Sequence, residues 1–193
     1  MHARDGQVYP ARAAVVAVPL NTLGAITFEP NLSALKQEGI ALGQASRGIK
    51  IFVRAWGEAR NQNSIKPGHE FGYLDTEVLY EDGTQLMIGF GLDAEACDPG
   101  DLGSVQGALD EILPGYEVID ATEHDWLADE FARGTWAIHR PGWFTKYHAE
   151  MQRPEGSVVL AGSDLANGWS GFMDGAIESG LRATAQVLHG LSD

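Results

Sequence analysis

Apolar residues along this chain fall into short clusters separated by glycine, proline and acidic turns, and the clusters repeat with two different periods. The run Ala13 to Leu20 (AAVVAVPL) is too short for a buried helix. It predicts a buried strand ending at Pro19, whose ring removes the backbone donor that a ladder needs. Ahead of it, Asp5-Gly6 marks the turn of an opening strand pair. Gly48 to Arg54 (GIKIFVR) alternates and predicts a second strand. Phe71 to Tyr80 and Gln85 to Gly91 predict a hairpin joined through Glu81-Asp82-Gly83. Leu102 to Leu113 reads as a short helix stopped by Pro114, Tyr116 to Thr122 as a strand, and Ser157 to Ala161 as a short buried strand ending at Gly162. A final helix starts near Ser170 or Gly171. From Met173 its apolar or small positions fall at Ala176, Ile177, Gly180, Thr184, Val187, Leu188 and Leu191, one face of a 3.6-residue period. About six or seven strands and three helices predict an α/β fold of mixed α+β type. Internal repeats and low-complexity tracts are absent from the sequence.

Composition narrows the class. The 193 residues are 44% hydrophobic and 21% charged, as in an ordinary soluble globular protein of one domain or two small interleaved ones. One cysteine, Cys97, excludes an intrachain disulfide and a four-cysteine zinc site, and with it goes the expectation of a reducing, cytoplasmic setting. The first twenty residues lack the apolar core of a signal peptide, the last residues carry no lipidation signal, and no stretch of apolar residues is long enough to span a bilayer. The net charge of −14 argues against nucleic-acid binding, which needs clustered Lys and Arg. Between Pro67 and Ala132 there are seventeen Asp and Glu and no Lys or Arg. That segment reads either as a solvated face that aids solubility or as a field that gathers cationic substrates.

Several familiar sites are missing. There is no GxGxxG and no GxxxxGK[ST]. Gly168-Trp169-Ser170-Gly171-Phe172 has Phe where a nucleophile elbow requires Gly, which excludes a serine hydrolase of that type. Glu123-His124-Asp125 and His69-Glu70 lack the i, i+4 His pair of a helical metal site, so no metal is expected. What remains is the stretch in which a strand runs into Gly162, Ser163 and Asp164, then a glycine-broken turn with Trp169 and Phe172, then a helix. Glycines at 162, 168 and 171 permit close backbone approach, and the free N–H groups of a helix start favour a partly negative partner. The same pattern also describes a capped helix with aromatic packing.

Residues Ala161 to Ala183 (AGSDLANGWSGFMDGAIESGLRA) closely resemble the C-terminal flavin-binding motif of the flavin-containing monoamine oxidase family. Pro141 to Tyr147 (PGWFTKY), Trp126 followed by Thr135-Trp136, and Asp5-Gly6 through Val15 to Pro19 resemble other stretches of the same family, so the likeness runs nearly end to end. It implies FAD-dependent oxidation of an amine to an imine, with oxygen returning the flavin to its oxidised state as hydrogen peroxide. It implies a cofactor-binding set of Trp126, Gly162, Ser163, Asp164, Gly171, Phe172 and Met173. Gly162 to Asp164 would lie on the ribityl side and Gly171 to Met173 at the helix end facing the flavin's N1–C2 carbonyl region. Trp136 and Phe172 would form the two-sided aromatic cage that sandwiches the amine, where relatives commonly carry Tyr. Lys50, in Ser46 to Lys50, resembles the lysine that holds a water at flavin N5 and assists oxygen reduction. These three are the catalytic residues that the resemblance implies. Some relatives attach FAD through a cysteine that would fall at Thr135. Threonine has no thiolate, so the FAD here is expected to be non-covalent.

Family members are generally more than twice as long and begin with the strand–GxGxxG–helix unit that holds the ADP half of FAD. The chain therefore resembles the C-terminal part of such an enzyme, as a truncated product, a fragment or one subunit of a split enzyme. Residues 1–38 and 129–193 would be a partial FAD-binding domain and 39–128 part of the substrate domain. The expected partners are a small-molecule amine, an N-terminal FAD-binding chain and other copies of itself, with no nucleic acid and no membrane. Flavin binding by the chain alone is expected to be weak or absent. Two rivals stand beside this reading. One is a flavin-free remnant acting as a binding or oligomerisation module. The other is a polyamine oxidase fragment, which would suit the acidic segment; an amino-acid oxidase would need a cation for the carboxylate, and residues 67–132 offer none.

Overall fold

The computed structural model describes residues 1–58 and 60–192. In chain order the elements are β1 (Ala14–Val16), α1 (Leu20–Leu23), α2 (Ala34–Leu42), β2 (Ile49–Trp56), β3 (Asn63–Ile65), β4 (Tyr73–Leu79) and β5 (Thr84–Gly91). They continue with α3 (Leu102–Ile112), β6 (Glu117–Glu123), a π-turn (Phe144–His148), α4 (Ala149–Met151), β7 (Val158–Leu160), a 3-10 turn (Ser163–Leu165) and α5 (Met173–Ser192). The fold is mixed α/β with both parallel and antiparallel pairing. It divides into two units, Met1–Ala45 with Glu130–Asp193, and Ser46–Asp129. The boundary expected at 38/39 falls inside α2, and the structural division lies at 45/46.

In the first unit β1 and β7 form a two-stranded parallel sheet, Ala14 opposite Val158 and Val16 opposite Leu160. Leu20, Leu23, Trp143, Tyr147, Met151, Leu160 and Leu165 make its main core. Helix α2 is fastened to that core by two unusual contacts. The Gly39 carbonyl accepts the Trp143 indole N–H at 2.9 Å, and a Cβ at Gly39 would lie 3.0 Å from Tyr147 Cβ, so a side chain there would have to push Tyr147 back by a few tenths of an ångström. Lys36 is fully buried; its Nζ donates to the Arg153 carbonyl at 2.5 Å and faces Glu155 Oε1 at 3.1 Å. Glu155 also accepts from the Ser33 N–H at 3.0 Å.

The second unit is an antiparallel five-stranded sheet in the order β3-β4-β5-β2-β6. The period-2 pattern of β2 turns Ile49, Ile51, Val53 and Ala55 inward, where they join Val105 and Leu109 of α3 in one core. The hairpin β4–β5 closes through Glu81-Asp82-Gly83 as its sequence indicates: Asp82 Oδ1 accepts the Thr84 N–H and Gly83 takes φ +85°. Asp101 caps α3 by accepting the Gly103 N–H at 2.9 Å.

Three local expectations change. The strand expected over Ala13 to Leu20 is only Ala14–Val16, because the Pro19 carbonyl already accepts the Thr22 N–H and opens α1. With one partner strand it is half-buried, Val15 being 49% exposed. The opening strand pair reduces to a single His2–Val8 bridge across the Gly6 turn. The final helix begins at Met173 rather than 170 or 171, since Gly171 takes φ +83°, which no helical residue adopts. Its buried face is Gly175, Ser179 and Ala183, while Met173, Ile177, Leu181 and Leu188 are each more than 60% exposed. Among the described residues no helix is long and apolar enough to cross a membrane.

Candidate functional site

The candidate site lies in the first unit, where β7 gives way to the 162–172 loop and α5. Gly162 leaves the strand at φ +129°, a conformation that glycine alone adopts readily, and nothing lies within 4 Å of the place where a Cβ would point. Its N–H donates to the buried Ser179 hydroxyl at 3.1 Å. Asp164 turns its carboxylate back to accept the Leu20 N–H at 2.8 Å, joining the loop to α1. The Ser163 hydroxyl and the N–H groups of Ser163, Asp164 and the first α5 residues have no acceptor among the described residues.

Glycines set the fit of loop against helix. A Cβ on Gly175 would lie 2.3 Å from the Trp169 carbonyl, so α5 packs directly on the loop backbone. A Cβ on Gly171 would lie 2.9 Å from Ala137 Cβ. Trp136 and Phe172 are the chain neighbours of these two touching residues. Trp136 is 39% and Phe172 62% exposed. Phe172 also meets Trp169 edge to face at 5.9 Å, and Trp169 sits at φ +53° with its ring exposed. Trp169 is thus an aromatic neighbour of Phe172 that the two-ring assignment leaves out. Glu178 on α5 accepts from the N–H groups of Asn167 (2.8 Å) and Gly168 (3.2 Å). Burial pushes its carboxyl up, but those N–H groups outweigh it and hold the group below the usual carboxylate range.

The segment 139–152 grips the other side of the loop. His139 Nε2 donates to the Asp164 carbonyl at 2.9 Å, Gln152 Nε2 to the Leu165 carbonyl at 2.8 Å, and His148 Nε2 to the Ala166 carbonyl at 3.1 Å. These three residues escaped the sequence reading, since isolated His and Gln in a polar stretch carry no periodic signal. His139 stacks on Trp143 at 4.1 Å. Burial pushes both imidazoles below the usual histidine value. A depressed histidine contributes stability that is complete above about pH 6.5 and is lost as pH falls toward the lowered values. The unfolding midpoint is therefore expected to fall between pH 7 and pH 5, measured by circular dichroism.

The remaining site residues belong to the second unit. Lys50 is an exposed residue of β2, paired in register with Phe90; its Nζ stands 5.1 Å from the Phe52 ring centroid and 5.8 Å from that of Phe90. The other three lysines each face a carboxylate. Trp126 is 44% exposed and meets His124 edge to face at 4.3 Å. Among the described residues no group of three or more His, Cys, Asp and Glu side chains could hold a metal ion.

The loop thus presents hydrogen-bond donors and a helix N-terminus beside exposed aromatic rings, with its carbonyls at 164 to 166 engaged elsewhere. Such a surface suits an electron-rich, planar, partly anionic group.

The family model for flavin-containing amine oxidoreductases matches residues 1–188. The chain is 42% identical over 181 residues to pseudooxynicotine dehydrogenase of a Pseudomonas species, covering 92% of this chain and 36% of that protein. It is 31% identical over 186 residues to (S)-6-hydroxynicotine oxidase of Paenarthrobacter nicotinovorans, covering 96% and 43%. In fold it matches a putrescine oxidase redesigned for cofactor binding, with TM-score 0.75 and 20% identity over 92% of this chain and 42% of the other. The chain spans roughly two fifths of the length of these relatives, 36% and 43% for the two curated ones.

Proposed function

The chain belongs to the flavin-containing amine oxidoreductase family, and from that premise we propose that it supplies the flavin-ring and substrate side of an FAD-dependent amine oxidase. The reaction is oxidation of an amine to an imine, which water hydrolyses, with hydrogen peroxide as co-product. The single observation that carries this reading is the joined loop and helix start at 162–175, where the Ser163 and Asp164 N–H groups have no acceptor among the described residues and the exposed Phe172 follows the Gly171 that touches Ala137. Met1–Ala45 with Glu130–Asp193 would be the partial FAD-binding unit and Ser46–Asp129 the substrate unit.

The residues present fit the ribityl and ring end of FAD, while this sequence holds no GxGxxG phosphate cradle. Bound flavin supplies the two-electron acceptor. The protein's residues do the rest. Gly162, Ser163 and Asp164 offer donors on the ribityl side. The N–H groups of Met173 to Gly175, at the start of α5, would stabilise negative charge at the ring edge of bound flavin. Trp136 and Phe172 flank the amine, exclude water and keep its lone pair neutral. Thr135 provides no thiolate, so attachment is non-covalent. Lys50, which faces no carboxylate among the described residues, keeps its donors for a water or for developing negative charge as oxygen is reduced. Two relatives bear nicotine-type substrates in their names, and we propose an amine of that kind here.

A two-stranded parallel sheet is too small to stand alone, since parallel sheets are normally broad and covered on both faces. An N-terminal FAD-binding chain or segment would complete it, covering Val15 and the exposed α5 face. Without that part the chain is expected to bind FAD weaker than micromolar in isothermal titration and to self-associate in light scattering. Co-expression with a GxGxxG-bearing partner should restore flavin absorbance and amine-dependent peroxide. Sub-micromolar FAD binding by the chain alone would overturn this division of labour.

A second test concerns the electron acceptor. Lys50→Met is expected to slow flavin reoxidation by oxygen by on the order of tenfold or more, leaving anaerobic reduction by amine nearly intact. Stopped-flow absorbance separates the two half-reactions. A wild-type protein that already ignores oxygen would favour a dehydrogenase, the word in the name of one relative above.

A further inference from the structure

The 163–168 loop is gripped in a way its backbone alone does not require. A 3-10 turn satisfies the Ser163 carbonyl, which accepts from Ala166 and Gly171. The next three carbonyls, at Asp164, Leu165 and Ala166, point away from the turn, and each meets one side chain from the segment 139–152. Donor counting fixes the roles. Gln152 has two amide hydrogens, and they go to the Leu165 carbonyl and to Asn167 Oδ1 at 3.0 Å. Its 3.2 Å approach to His148 Nε2 is therefore not a donation, and His148 Nε2–H is left to serve the Ala166 carbonyl. His139 Nδ1 is buried without a partner, so its neutral ring must carry the proton on Nε2, facing the Asp164 carbonyl.

We infer that His139, Gln152 and His148 are positioning residues of the cofactor loop: by holding three consecutive carbonyls on the 139–152 side they leave the Ser163 and Asp164 N–H groups and the Ser163 hydroxyl turned the other way. This rests on the proposed role of the loop, but the positioning can be tested with no flavin present. The surroundings make the hold sensitive to protons. Around His139 stand Asp164, His148 and the rings of Trp143 and Phe144; around His148 stand Arg182, Glu178, Gln152 and the same Phe144 ring. A second proton on His139 would sit at a buried nitrogen that has no acceptor. The grip therefore belongs to the neutral rings and loosens in acid.

Hydrogen exchange of the full chain, read by mass spectrometry from pH 5 to pH 8 and corrected for intrinsic rates, tests this. His139→Phe and His148→Phe are expected to speed exchange in the 163–168 peptide by roughly two- to tenfold each, the loss of one hydrogen bond, with the β2–β5 peptides unchanged. The wild-type loop should lose protection as pH falls below about 6.5, the ordinary histidine value. The double variant His139→Gln with His148→Gln keeps a donor at each place and should hold a flat pH profile. Loop exchange in both Phe variants equal to wild type would overturn the inference, as would the same pH profile in wild type and the double Gln variant. Faster loop exchange in the Phe variants with flavin binding by the partner-completed protein unchanged would instead count against the cofactor reading alone.

Discussion

Trp136→Ala is expected to lower the turnover of the flavin-loaded protein on the order of a hundredfold while moving its unfolding midpoint little. The indole is 39% exposed, so its loss leaves no closed cavity of the kind that costs roughly 3–5 kcal/mol when a core aromatic is truncated. What it does lose, on the proposed role, is one ring of the pair that would sandwich the amine, next in the chain to the Ala137 that Gly171 touches. A misplacement of about 1 Å at a reacting amine accounts for a rate loss of that size. Anaerobic reduction by amine gives the rate, and thermal unfolding followed by circular dichroism gives the stability. A collapsed midpoint with a proportionate loss of activity would make Trp136 a packing residue and end its assignment to the cage.

The largest effect on stability should come from a residue outside the site. Lys36→Ala is expected to destabilise the chain by about 2–5 kcal/mol, because it empties the space of a fully buried side chain and takes the donor from the Arg153 carbonyl. Lys36 is fully buried, and its ammonium links the Arg153 carbonyl to Glu155. Burial pushes the Glu155 carboxyl up, but the Ser33 N–H and Lys36 outweigh it and hold the group low. Without Lys36 part of that compensation goes, and α2 loses its anchor to the segment before β7. Urea denaturation reads the change. Lys36→Met, which keeps the apolar stem, should recover part of it. A Lys36→Ala midpoint equal to wild type would show the pair to be dispensable.

Much of the architecture was legible because it follows from period and turn chemistry. The alternation of β2, the Glu81-Asp82-Gly83 hairpin and the Asp101-capped α3 are local consequences of local sequence. Helix α2 was not legible. Its nine residues ALKQEGIAL place a buried lysine and a glycine where an amphipathic stripe would carry apolar side chains, and both are explained only by partners more than a hundred positions away. The length of β1 failed for a related reason, since the end of that strand depends on α1 starting at once after Pro19. At the site, glycines and aromatics stood out as a motif, whereas His139, His148 and Gln152 act only by where the 164–166 carbonyls arrive.

The parallel pairing of β1 with β7 carries a consequence for synthesis. Ala14 and Val158 lie 144 positions apart in the chain. At about 5–20 residues per second, a ribosome needs roughly 7–30 s between making one strand and its partner. The unit Ser46–Asp129 is continuous and has its core partners close at hand, so it can fold as it emerges. The AAVVAVPL segment must wait meanwhile as an unpaired, β-branched strand, the kind of segment that aggregates or recruits chaperones. Slowing translation would lengthen that exposure, and moving the 1–45 segment behind residue 193 by circular permutation would shorten it.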